Sequence, residues 1–270
     1  MSPVSRRRGG GRKPSTAQSA SAVRARATEV RRLMAEPPLD ALTSRIAKLG
    51  TDDAFAAEAL MSYVLDVVVG RGPDADEQLA RFSRAAVSDP RAGTTPLGVR
   101  AMVAVSLLGH RDVRDEARAL VAAADPEHVP AWAAGAGAVE VVQTGLLSAR
   151  DGSESVLHLL LDHADPVAGP RHLVSIAVEH GENRVHLLDV RVRAPQDVLD
   201  PMAEAYADPA GPRWTWGDRD SVLAVAEPAL RTTSLRTSRQ WPVLGIEGAE
   251  TLTWWLGVQR LEQVTGSVLA

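Results

Sequence analysis

"RHLVSIAVEHGENRVHLLDVRV", residues 171–192, decides the fold class of this 270-residue chain. Polar and apolar residues alternate in both halves, Val, Ile and Leu dominate, and "GEN" interrupts them. The pattern predicts two strands joined by a tight turn. With a period of two, His172, Val174, Ile176, Val178 and His180 share one face of the first strand. In the second, His186, Leu188, Val190 and Val192 share a face, and Asp189 lies on the other. A three-residue loop would set His186 opposite Val178 and near His180, placing all three histidines on one apolar face. A two-residue loop would separate them, because a one-residue slip turns every side chain over.

On either side of this hairpin the chain divides. Further strands are predicted at 139–147 and 156–163, separated by "DGSE" and "DPVAGP", with a short strand in "PRWTW" at 212–216. Before them the apolar period is helical. Val23, Ala27, Val30 and Met34 form one stripe, ended by Pro37 and Pro38. Leu42, Ile46 and Leu49 mark a second helix. Thr51 and Asp52 are the expected N-cap of a third, carrying Phe55, Leu60, Val64 and Val68. A fourth spans about 75–88, with Leu79, Phe82 and Ala86 inward. The stretch 95–109 is apolar all round, as a central helix would be, and 112–123 follows. After the strands, helices are predicted at 195–207, at 218–233 with a kink or end at Pro228, and in the amphipathic "AETLTWWLGVQRLEQV" at 249–264. Trp254 and Trp255 point about 100° apart on such a helix, so one narrow stripe does not hold both.

The expected fold is therefore α+β: an N-terminal α-helical array, of HEAT-like or irregular form, followed by a mainly antiparallel sheet with flanking helices. The expected boundaries are a disordered basic tail at 1–19, an α-helical domain at 20–136, an α+β domain at 137–235, and a linker with the C-terminal helix at 236–270.

Composition narrows the chemistry. The chain has no cysteine, which excludes disulfides, thiolate nucleophiles and Cys-ligated metal centres. No apolar run approaches the roughly 18 residues of a membrane span, and no apolar stretch follows the N-terminal arginines. The expectation is a soluble cytoplasmic protein without contact to membrane. Phosphate-loop, dinucleotide, nucleophile-elbow and HExxH patterns are missing, so no cofactor is predicted. Residues 1–32 hold nine basic groups and one acid, whereas the remainder carries 21 basic and 33 acidic residues. Arg6, Arg7, Arg8, Arg12 and Lys13 are the candidates for binding a polyanion, either nucleic acid or an acidic protein, through residues 1–15. The alternative is a solubilising tail that folds back on the acidic body.

Imidazole suits both proton transfer and metal binding near neutral pH. The hairpin thus nominates His172, Glu179, His180, His186 and Asp189 as catalytic candidates. "HLLLDHAD" nominates His158, Asp162 and His163, with Asp165 beside them, as metal candidates. None of these has a tight ligand spacing.

Three segments, "DAFAAEALMSYVL" (53–65), "HVPAWAAGAG" (128–137) and the hairpin, resemble in the same order a family of actinobacterial proteins of no established activity. That resemblance implies helices followed by strands and points to His172, Glu179, His180 and Asp189, with Glu179 departing from the expected Asp. It implies no reaction.

The leading expectation is a non-enzymatic binding or adaptor protein, with a partner surface on the helical lobe or the C-terminal helix. The rival is a metal-dependent or hydrolase-like enzyme using the histidines and carboxylates of 158–189. A third reading is a structural subunit dimerising through its last helix.

Overall fold

The computed structural model describes residues 27–28, 31–49, 53–70, 74–182, 185–193, 212–232 and 254–266. The chain belongs to the α+β class. Among the described residues, a helical stretch at 31–35 precedes five helices: α1 (Pro38–Leu49), α2 (Ala54–Val68), α3 (Ala75–Val87), α4 (Pro96–Leu108) and α5 (Arg111–Ala123). Four strands follow, β1 (Val139–Ser148), β2 (Glu154–His163), β3 (His172–His180) and β4 (Val185–Arg193). Then come β5 (Arg213–Trp216), α6 (Arg219–Thr232) and α7 (Trp254–Thr265). The basic segment with Arg6, Arg7, Arg8, Arg12 and Lys13, the expected helix at 195–207 and the linker before α7 lie outside the described residues.

Local chemistry sets the helix ends. Asp53, not Thr51 or Asp52, caps α2, its carboxylate accepting from the Ala56 amide at 2.6 Å. Thr95 caps α4 ahead of Pro96, whose missing N–H is one the first turn leaves unpaired anyway. The His110 ring accepts from the Asp112 amide and caps α5. Helix α4 is buried nearly all round and touches α1, α2 and α5, as its apolar sequence predicts. In the first stripe the inward residue is Leu33. Met34, expected there, is 64% exposed. Helix α6 runs through Pro228 to Thr232 rather than ending at it.

The sheet is antiparallel with strand order β4-β3-β2-β1-β5, a four-strand meander with β5 returning beside β1. One face lies under α6 and α7. It carries Leu157, Leu159 and Leu161 of β2, Val174, Ile176 and Val178 of β3, and Val190 and Val192 of β4. These residues form one contiguous core with the buried residues of α1–α7. The helical and sheet halves that the sequence separates by composition thus share their interior.

The hairpin register differs from the expected one. Four residues separate β3 from β4, so His180 pairs with Val185 and Glu179 with His186. Farther along, Ala177 faces Asp189 while Val178 faces Leu187, leaving Leu188 as a bulge. His186 therefore lies on the face opposite His172 and His180.

Candidate functional site

The nominated residues separate. Glu179 and His186 form a cross-strand pair on the face away from α6 and α7. Asp189, on that same face, accepts from its neighbour's amide on Val190 at 3.0 Å and from Arg191 Nε at 2.8 Å. His180 sits at the far end of β3, about 26 Å from His172 along an extended strand, and its Nε2 meets Ser155 Oγ at 3.0 Å. The three expected metal ligands split as well. His158 and Asp162 are on one face and His163 is on the other. His158 Nδ1 meets Ser175 Oγ at 3.0 Å and its ring stacks on Trp214, 5.4 Å between centroids. Asp162 forms a two-pronged ion pair with Arg171, which holds its carboxyl below the usual range. Among the described residues no three metal-capable side chains gather.

What does gather is a polar cluster inside the core, built on α2, β2, β3 and α7. The Arg260 side chain is fully buried and Glu58 is 1% exposed. An arginine stays charged in any protein interior, so its donors must be met there. Four of the five are met by described residues. Nε donates to His172 Nε2 at 3.2 Å, Nη1 donates to Gln259 Oε1 at 2.9 Å and to Gln263 Oε1 at 3.0 Å, and Nη2 donates to Glu58 Oε2. Helix geometry explains part of the set. Gln263 is three residues beyond Arg260 on α7, hence on the same side, and Glu58 looks out of the buried stripe of α2.

This arrangement fixes the state of His172. A guanidinium only donates, so Nε2 must be the accepting nitrogen and Nδ1 carries the proton. That N–H faces the Pro170 carbonyl at 3.2 Å. The ring is therefore a neutral imidazole. Burial, with the Arg260 charge adding to it, pushes its pKa down to about 3. His163 stands beside it, 5.2 Å between ring centroids, and burial with Arg260 pushes it down to about 4, against the pull of Asp53 and Asp162. Neither ring nitrogen of His163 has a hydrogen-bond partner among the described residues. Phe55 completes the group, 4.8 Å from His172. For Glu58, burial raises the pKa while Arg260 opposes the rise.

Chemically the cluster is suited to holding elements together. Its acid is paired, its inner imidazole, His172, is occupied at both nitrogens, and its cation lies inside the core. Of the sequence candidates, His172 and His163 belong to it. Glu58 and Arg260 were not anticipated. Their signal in the sequence is a lone charge within a largely apolar stretch, "AFAAEALM" at 54–61 and "WWLGVQRL" at 254–261.

Comparison with known proteins finds no matching family model, no similar curated protein and no similar solved structure. The chemistry of the site is thus read from its own residues.

Proposed function

We propose that this protein is a non-enzymatic, cytoplasmic binding or adaptor protein. Its basic N-terminal segment contacts nucleic acid or another polyanion, and its helical layer meets a protein partner. The observation that carries the reading is the division of charge: nine basic groups and one acid in residues 1–32 against an excess of twelve acids in the rest. Such a division attracts a polyanion to one end and repels it from the remainder. In the internal cluster Arg260, Glu58 and His172 are tied to one another, in keeping with this. The enzyme reading draws less support, because its nominated residues lie on two faces and at two ends of the sheet.

The partner surface is best assigned to the outer sides of the helical layer, where charged side chains such as Arg81, Asp115 and Arg118 are exposed. The C-terminal helix, a candidate surface from sequence, is buried from Trp254 to Leu261. Binding of duplex DNA measured across a salt series tests the basic segment. Five neutralised phosphates would give a slope of log K against log salt of about −4.5, at about 0.9 per phosphate. Deleting residues 1–15 should flatten the slope and weaken binding. An unchanged slope and affinity would reject the polyanion reading.

A further inference from the structure

Helix α7 is the last described element in chain order, yet it lies at the centre of the molecule. Every residue from Trp254 to Leu261 is buried, so the helix is enclosed on all sides over two turns. It touches α2, α4, α6, β1, β3 and β4. Gly257 lets the helix backbone lie against Val190 of β4.

The first amides of α7 have no partner within the helix, and α2 supplies them. Ser62 Oγ accepts from Leu256 N–H at 3.1 Å, and Asp66 Oδ2 accepts from Trp254 N–H at 3.3 Å. Arg260 reaches Glu58 and His172 from the same helix.

Each side of this junction depends on the other. A twelve-residue helix is marginal in water on its own, and its tryptophans and leucines need a cover. Without α7 the rest of the chain would expose Val190, Val192 and the inner side of α2, and Glu58 would lose the cation that balances it in the interior. The N-terminal helices α1–α5 meet the sheet largely across this element, while α6 covers the sheet beside it.

We propose that α7 is a keystone that seats last, so that during synthesis neither the helical layer nor the sheet reaches native packing until residues 254–265 have left the ribosome. The inference rests on the fold and is independent of the proposed polyanion binding. Domains otherwise tend to fold in order of their appearance, and here that order is overruled by where the core is closed.

The test uses the full chain, stalled on the ribosome by an arrest sequence placed after residue 270 through linkers of graded length. Brief proteolysis is followed by detection of fragments from residues 31–123 and 139–193. Both regions should be cut at short linkers and become protected together at the length that brings α7 out of the tunnel. Native-like protection of either region while α7 is still inside would overturn the proposal.

Discussion

Arg260 shows how one side chain can hold a structure without adding much to its stability. The ionised pair with Glu58 is fully withdrawn from water, and removing two charges from water costs nearly what their attraction returns. Its presence is felt when it is broken. Arg260→Met should cost about 3–5 kcal/mol, because Glu58 is then left buried without its cation. Adding Glu58→Leu should recover most of that loss, since an apolar pair of similar volume is often neutral or better. Urea denaturation of both single variants and the double variant measures the coupling. If the double variant loses the sum of the two single losses, the pair does not act as a unit. The sequence marks these two positions only as charges set among apolar neighbours. Their pairing across 202 residues cannot be read from periodicity, which reports a face and not the residue opposite it.

At the scale of elements, the contact of α7 with β4 turns on a missing methyl group. A Cβ at Gly257 would stand 2.2 Å from Val190 Cγ1 and 3.0 Å from Val190 Cβ. In a helix interior, Gly→Ala gains up to about 1 kcal/mol in propensity. Overpacking costs about 1–3 kcal/mol, and a strand valine has few rotamers in which to escape. The clash should win, so Gly257→Ala is expected to be destabilising. In a Val190→Ala background the same change should become neutral or stabilising. Thermal unfolding of the four proteins gives the sign, and a stabilising Gly257→Ala in the parent would show that α7 is less closely seated than described. The elements themselves were legible. Alternation and β-branched content located β1 to β4, "PRWTW" marked β5 as a short strand, and apolar spacing located α1 to α5 within a few residues. The hairpin register was not, because the loop has four residues and Leu188 bulges out of the ladder. Both are decisions of backbone geometry that a hydrophobic pattern does not record. The tryptophan pair misled for a different reason. Trp254 and Trp255 do point apart, but both are buried because α7 has neighbours on every side.

For the whole molecule, the position of the cluster makes acid sensitivity a global property. His163 and His172 lie where α2 meets β2, β3 and α7, within reach of the core that helices and sheet share. Both are held neutral in the folded state, with pKa values pushed down to about 4 and about 3. In the unfolded chain a histidine takes up its proton near 6.5. Between these limits the unfolded state binds more protons, so stability is fully present above about pH 6.5 and falls as the pH drops toward 4. Each histidine contributes a slope of about 1.4 kcal/mol per pH unit in that window. Glu58, whose pKa burial raises, works in the opposite direction, so the reliable quantity is a difference between proteins. Urea midpoints from pH 6.5 to 4.5 should fall steeply in the parent. In His163→Gln the slope should be smaller by about 1.4 kcal/mol per pH unit. The helical signal and tryptophan fluorescence should also lose their native values at the same pH, because Trp254 and Trp255 sit in the same interior as the helices. An unaltered slope in the variant would mean that His163 is already solvated in the native protein. Two separated transitions would mean that helices and sheet do not depend on a common core.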